Sequence, residues 1–488
     1  MQRPLLVLIF ILGLTQGTPA FGEDVTELIE SIRLEHKISA AAYFIVSPDS
    51  IITLESLGTT QCDNDITFEV DHLVRIGSIT KTFTALATII LNERGVLSLN
   101  DTVTDLVSEP LFENPWAEQN PVKIAHLLEH TAGLRDMSKR EFDFNEPISL
   151  TEAFRVDPSS RLLEWPPGLH SSYSNSGAGI LSRLIEQVTD KTYETFVSDE
   201  IFSPLGMSSA RFTIAAPERD KLITGYDGDG CTEIEYWHTL YRAFGAISVT
   251  PQDMIPFVQL FLNRGEHAAM QLVSKAAIER MQTPRTSLSA RAGLEYGYGL
   301  GIYQYQRGGV SFFGHGGDAD GYLAYFSYSP ALQRGYFVVI NSFNNEALRK
   351  IRRVIEDKIV GNAMPNSPPS AQPSSSQLAT ISGTYRQVTR RFGGGKKGST
   401  IEVSVAEDGA IYTSAKNGRG RALLPVTPWH YRRREQTVAT ISFIPCGDQL
   451  YLQGDFGNYA KSGKGEQLAP CPPQAVTTQR TPVPPMPQ

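Results

Sequence analysis

The sequence predicts a sandwich of the α/β or α+β class, an antiparallel sheet flanked by helices and interrupted by a helical subdomain, followed by a small all-β domain. Three observations carry this expectation. Strand-like apolar runs lie near the start of the chain and again after Gly297, with helical periodicity between them. A Pro/Ser stretch without apolar periodicity, PNSPPSAQPSSSQ over Pro365 to Gln377, reads as a linker. Beyond it, short apolar runs (STIEVSV, ATISFIP, QLYLQGDF) are separated by Gly and charged residues, the pattern of an antiparallel β-domain. The expected organisation is an export signal over 1–22, a main domain over 23–362, a linker over 363–377, a β-domain over 378–469 and a Pro-rich tail over 470–488.

Within the main domain, Ala40 to Leu57 reads as two strands joined by a turn at Pro48-Asp49-Ser50. From Ser78 to Arg94, the residues Phe83, Leu86, Ala87, Ile90 and Leu91 recur at spacings of three and four, which predicts an amphipathic helix with one buried face. Ser78 then stands at its N-terminus. Helices are also expected over Ala178 to Val188, Pro251 to Leu262 and Glu346 to Ile359. Strands are expected over Gly297 to Tyr305, Val310 to Phe313, Tyr322 to Tyr328 and Gly335 to Asn341.

With 488 residues, 41% of them hydrophobic, and a formal net charge of -8, the chain can bury a large core and lacks the basic footprint of a nucleic-acid binder. Arg3, the apolar run Leu5 to Leu14 and the small residues before Glu23 predict a signal peptide, and hence a secreted or periplasmic protein. No later run approaches the length of a membrane span. An exported chain can form disulfides from Cys62, Cys231, Cys446 and Cys471. One bridge per domain, Cys62 with Cys231 and Cys446 with Cys471, is the simplest of three connectivities, and free buried thiols stand beside it for the first pair. No zinc-ribbon spacing occurs, and neither metal nor cofactor is expected.

Three short runs contain the parts of an acyl-transferring serine enzyme: Ser78-Ile79-Thr80-Lys81, Tyr173-Ser174-Asn175 and His315-Gly316-Gly317. On a helix, Lys81 lies one turn from Ser78 and can reach its hydroxyl, a weak nucleophile that needs a neighbouring base. Tyr173 can shuttle a proton, and the side chain of Asn175 can hydrogen-bond Lys81 or a substrate carbonyl. The glycines after His315 let a substrate backbone approach. Backbone N–H groups, with that of Ser78 as first candidate, would hold the developing oxyanion.

These runs, with Arg75-Ile76-Gly77 before the serine, LLEHTAGL over Leu127 to Leu134, YSNSG over Tyr173 to Gly177, Pro204 to Met207 and Gly314 to Gly321, resemble the serine hydrolases related to class C β-lactamases and penicillin-binding proteins. That family includes D-alanyl-D-alanine carboxypeptidases, D-aminopeptidases and esterases. The resemblance implies a β-lactamase/transpeptidase-like fold, with Ser78 acylated and Lys81 and Tyr173 sharing proton transfer. It also implies that Asn175, His315 and Gly317 position the substrate and that Asp318 N–H is the second oxyanion donor. Where β-lactamases of this group generally carry Lys-Thr-Gly, this chain has His315-Gly316-Gly317, closer to the peptidase and esterase relatives. The segment from Ile381-Ser382-Gly383-Thr384-Tyr385 resembles an appended lipocalin-like barrel. The expected substrate is a small peptide containing D-amino acids, a simple ester or a β-lactam.

Two other readings compete with a serine hydrolase. One is a catalytically idle protein that binds peptidoglycan-like peptides. The other is a zinc peptidase, because His126-Leu127-Leu128-Glu129-His130 matches a His-x-x-Glu-His pattern. Asp227-Gly228-Asp229-Gly230 reads as a turn, lacking the further ligands of a calcium loop. Arg432-Arg433-Arg434, with Lys396-Lys397, fits either a charged strand edge or contact with an anionic polymer.

Overall fold

The computed structural model describes residues 23–472 apart from 143, 367, 369, 390–397, 407–408, 416–419, 456 and 464–470. The expected signal peptide, most of the Pro-rich tail and Lys396-Lys397 lie outside these residues. The sheet of the main domain comprises β1 (Ala40–Val46), β2 (Ile51–Gly58), β3 (Tyr303–Arg307), β4 (Val310–Ala319), β5 (Tyr322–Ser329) and β6 (Arg334–Ile340). Its order is β2-β1-β6-β5-β4-β3, antiparallel throughout. Pairing of Ala41 with Ile340 and Val46 with Gly335 joins the early hairpin to the late strands.

All seven residues of β1 are buried, because helices cover both faces of the sheet and a continuous apolar run replaces polar alternation. Tyr43 and Ile45 face α1 (Glu23–Glu35) and α5 (Asn345–Val360), packing with Val25, Ile29, Ile351 and Ile355. Ala42 and Phe44 face the opposite core, shared with α2 (Thr80–Glu93) and α4 (Met254–Leu262). There Phe83 stacks on Phe257 with ring centroids 3.9 Å apart. A buried aromatic of this kind contributes about 3–5 kcal/mol against truncation to Ala.

The expectation of an amphipathic α2 is corrected: every residue from Thr80 to Leu91 is buried. The threonines that read as a solvent face are satisfied internally. Thr82 Oγ1 donates to Gly301 O at 2.7 Å, Thr84 Oγ1 to Ala243 O at 2.9 Å and Thr88 Oγ1 to Thr84 O at 2.9 Å. Buried hydroxyls with such partners escape the desolvation penalty, so the helix sits between sheet and helical subdomain. Residues 297–302, expected as strand, are instead loop. Glycines 297 and 301 have positive φ, and Leu300 N–H and Gly301 N–H donate to carbonyls of Met281 and Leu128. The helix expected from Pro251 starts at Met254 after a turn.

Strands β7 (Gly383–Gln387), β8 (Thr400–Val405), β9 (Ile411–Ala415), β10 (Arg421–Pro425), β11 (His430–Arg432), β12 (Ile441–Cys446), β13 (Gln449–Gly454) and β14 (Gly457–Lys461) close into a barrel, with β14 returning to β7. Its interior is filled by Tyr385, Tyr431, Ile441, Phe443 and Leu452. The end of the expected linker is helical over Ser375–Ile381, because Ser374 and Gln377 form a reciprocal capping box. The cysteines pair as Cys62–Cys231 and Cys446–Cys471. No described helix is long and apolar enough to cross a membrane.

Candidate active site

Ser78 lies in a single 3-10 turn, Gly77–Ile79, that runs directly into α2. Gly77 has φ +50, and a Cβ there would collide with the backbone of Asp318; a Cβ on Gly317 would strike the carbonyl of Ile76. Glycine at both positions therefore lets the serine turn press against β4. The His315 to Gly317 run lies inside β4 rather than after it, correcting the shorter strand expected from sequence. Since β3 pairs with β4 only as far as Gly314, residues 315–319 have no β3 partner and line a cleft with Ser78.

One turn beyond Ser78, Lys81 Nζ is 3.0 Å from Ser78 Oγ and donates to Phe244 O at 2.8 Å. The lysine is only 4% exposed, held under the cleft with its amine 4.8 Å from the ring centroid of Tyr173. Tyr173 precedes the helix α3 (Asn175–Thr189), which begins three residues earlier than its periodicity predicts. Asp136 holds that start in place, its carboxylate accepting from Asn175 N–H at 2.7 Å and Met137 N–H at 2.8 Å. A carboxylate at these first amides satisfies a free donor and complements the helix dipole. Asn175 is buried, lines the cleft and has no hydrogen bond to its Oδ1.

The cleft encloses about 570 Å³, and Ser78, Tyr173, Asn175, His315, Gly317 and Asp318 all line it. The structure thus gathers every residue expected from sequence, with Lys81 beneath. His315 is locked. Its Nδ1 is 2.5 Å from Gly316 O, an atom that can only accept, so Nδ1 carries the proton. In a neutral ring Nε2 must then accept from Tyr298 Oη, 2.7 Å away. Burial, reinforced by Lys81, pushes His315 down to about 3, and burial raises the Tyr298 phenol well above its usual value. Both groups are neutral across the physiological range.

Sequence reasoning did not single out Tyr298, Asp136 or Phe244, and no motif spacing marks them; they enter through three-dimensional contact alone. Arg75 also lines the cleft, 3% exposed, with its guanidinium over Tyr236 and donating to Thr239 Oγ1 at 3.3 Å.

The His126, Glu129 and His130 set does not converge. Glu129 is wholly buried and its carboxylate accepts from Arg280, from the amides of Arg285 and Thr286 and from Thr286 Oγ1. His126 Nδ1 accepts from Lys123 N–H at 3.1 Å, whereas His130, with φ +54, stacks on Tyr173 at 4.2 Å between centroids. The glutamate that a zinc peptidase would use as base is consumed by a structural loop. Asp229 accepts from Cys231 and Thr232 amides, confirming a turn. Arg432 is buried and bonds three backbone carbonyls, and Arg433 pairs with Asp455, so two of the three arginines serve the barrel's own loop.

Comparison with known proteins agrees with this fold. The sequence model of the family described as Beta-lactamase matches residues 23–359. Penicillin-binding protein 4 of Amycolatopsis lactamdurans is 26% identical over 380 residues, covering 74% of this chain and 96% of the relative. The D-alanyl-D-alanine-carboxypeptidase/endopeptidase AmpH of Escherichia coli is 24% identical over 339 residues, covering 66% of this chain and 84% of the relative. Among solved structures, the octameric penicillin-binding protein homologue from Pyrococcus abyssi superposes with a TM-score of 0.59 at 24% identity, covering 90% of this chain and 99% of that one.

Proposed function

The chain belongs to the Beta-lactamase family, a family of serine hydrolases, and from that premise we propose that it hydrolyses amides or esters through an acyl-enzyme on Ser78. The observation that carries the reading is the 3.0 Å contact between Lys81 Nζ and Ser78 Oγ at the floor of the cleft. Lys81, with Tyr173, takes the proton of Ser78 as Oγ attacks the substrate carbonyl carbon. The carbonyl oxygen becomes an oxyanion that accepts from the N–H groups of Ser78 and Asp318. Its collapse breaks the bond to the leaving nitrogen or oxygen, which receives the proton through Tyr173. Water then adds to the acyl carbon and gives its proton back through the same groups, regenerating Ser78. The Asn175 side chain and the edge of β4 beyond Gly314 orient the substrate meanwhile.

The substrate class we favour is D-amino-acid peptides and simple esters. The carboxypeptidase activity for which the AmpH relative is named supports the first, and His315 in place of a lysine supports both over β-lactams. Export to an oxidising compartment is part of the proposal, resting on the apolar N-terminal run and the two cysteine pairs.

Labelling by a fluorophosphonate or a fluorescent penicillin, with and without EDTA, tests the reading. Labelling that disappears in Ser78→Ala and is indifferent to EDTA is expected. A wild-type protein that neither labels nor turns over esters would leave the idle binding protein in its place.

A further inference from the structure

The five residues before Tyr173 are gripped from two sides. On the hydrolase side, Gly168 N–H donates to Thr131 O at 2.8 Å and Ser172 N–H to His130 O at 2.7 Å. The opposing carbonyls need donors of their own, because buried backbone oxygens are rarely left unpaired. Gly168 O accepts from Arg291 at 2.9 Å, but the next two partners come from the barrel. Gln453 Nε2 donates to Leu169 O at 3.0 Å, and Asn458 Nδ2 donates to Ser171 O at 2.6 Å. Gln453 also lies 2.9 Å from His170 Nδ1 and accepts from Ser289 N–H at 2.9 Å, so both ends of its amide are used.

These two side chains are direct cross-strand partners at the end of the β13–β14 hairpin. Along β13, Leu450 and Leu452 point into the barrel, so Tyr451 and Gln453 point out of it. An outward residue on a free barrel would be solvated. Gln453 is 1% exposed and Asn458 5%, and Tyr451 lies 5.4 Å from the His170 ring. The surface is therefore built for the 168–172 segment. The barrel interior, filled by its own aromatic side chains, has no comparable role.

We propose that Gln453 and Asn458 are positioning residues for the hydrolase reaction: the barrel hairpin clamps the segment that delivers Tyr173 to Ser78 and Lys81. The inference rests on the proton-transfer role proposed for Tyr173. Without the clamp, the carbonyls of Leu169 and Ser171 turn to water and the segment keeps only the Arg291 bond on that face. Small displacements of a reacting group are costly, since catalysis depends on near-attack geometry.

The test is a double-mutant cycle in the full chain, reading the single-turnover acylation rate by a chromogenic ester, with urea midpoints measured alongside. Gln453→Ala and, separately, Asn458→Ala are each expected to slow acylation about 10-fold or more by misplacing Tyr173, chiefly in kcat. In the Tyr173→Phe background the same substitutions are expected to change the rate by less than about 2-fold, because the group they position is gone. A loss of equal size in both backgrounds would show that the barrel supports the domain generally and would overturn the clamp. Normal acylation in both clamp variants, with Tyr173→Phe impaired, would also overturn it while leaving the proposed mechanism intact. If Tyr173→Phe acylates normally, the mechanism loses its tyrosine and the clamp has nothing to position. Should Gln453→Ala fold poorly, Asn458→Ala decides the matter, since it leaves the Gln453 contact to Ser289 in place and costs the barrel itself only the 3.1 Å bond to Thr389 Oγ1.

Discussion

Replacing Lys81 by Met separates catalysis from stability because the two should move in different directions. Lys81 Nζ makes two close contacts, 3.0 Å to Ser78 Oγ and 2.8 Å to Phe244 O, at 4% exposure. Met fills a similar volume with no donor. Loss of the base slows acylation by about 100-fold at least, equivalent to about 2.7 kcal/mol of transition-state stabilisation. For stability, the orphaned Phe244 carbonyl costs about 1–3 kcal/mol. Against this, the amine no longer has to be taken out of water, which offsets that cost. The net expectation is an unchanged or raised urea midpoint in a protein that barely acylates. Single-turnover labelling by a fluorophosphonate, paired with urea unfolding, reads both quantities. Near-wild-type acylation removes Lys81 from the mechanism. A loss of 3 kcal/mol or more of stability would instead show that the amine is chiefly a structural group.

Burial pushes His126 and His315 down to about 3 and His170 down to about 4, from an ordinary value of 6.5. The unfolded chain takes up these protons near pH 6.5 while the folded one resists, so stability is fully present above that pH and is lost below it. The loss should be about 1.4 kcal/mol per histidine per pH unit until the folded values are reached; urea midpoints that stay flat between pH 6.5 and 5 would contradict it. Glu129→Ala should destabilise by about 3–5 kcal/mol, since it strips Arg280 and the 285–286 amides of a buried partner. Calorimetry measures this, and EDTA should leave wild-type turnover unaltered; a stable Glu129→Ala protein with EDTA-sensitive wild-type activity would restore the zinc reading.

Much of the site was legible because its parts are close in sequence to features that fold locally. Ser78 and Lys81 are one helical turn apart, and that spacing alone predicts their contact. The glycines after His315 read as room for a substrate backbone, whereas Gly317, with Gly77, meets the chain's own backbone at Ile76 and Asp318. What stayed hidden depends on distant partners. The threonines of α2 read as a solvent face because periodicity records polarity, not whether a carbonyl such as Gly301 O is waiting. Tyr298 is an ordinary aromatic in a glycine-broken loop until the fold sets it against His315. A small antiparallel β-domain followed from the strand pattern and turns and its barrel form from the resemblance alone, whereas its grip on the Tyr173 segment rests on Gln453 and Asn458, two polar residues with no motif around them.

The locked His315 also bears on what the cleft accepts. At the position where related β-lactamases carry a lysine, this chain holds a neutral ring whose two nitrogens are already committed to Gly316 O and Tyr298. The charged side chains lining the cleft are Arg75 and Arg352 against Asp318 and Asp320, formally balanced, and Arg352 is paired with Glu356 at 3.1 Å. A substrate carboxylate beside the scissile bond would therefore find a neutral ring, not a cation, at the His315 position and would lose hydration in a half-enclosed site. A neutral ester or amide avoids that cost. We expect kcat/KM for a D-alanyl methyl ester of an acylated dipeptide to exceed that for the same dipeptide with a free carboxylate by about 10-fold or more, the equivalent of about 1.4 kcal/mol. The two are compared at constant ionic strength. Preference for the free acid would mean that Arg75 or Arg352 engages the carboxylate directly, and Arg75→Met and Arg352→Met would then show which.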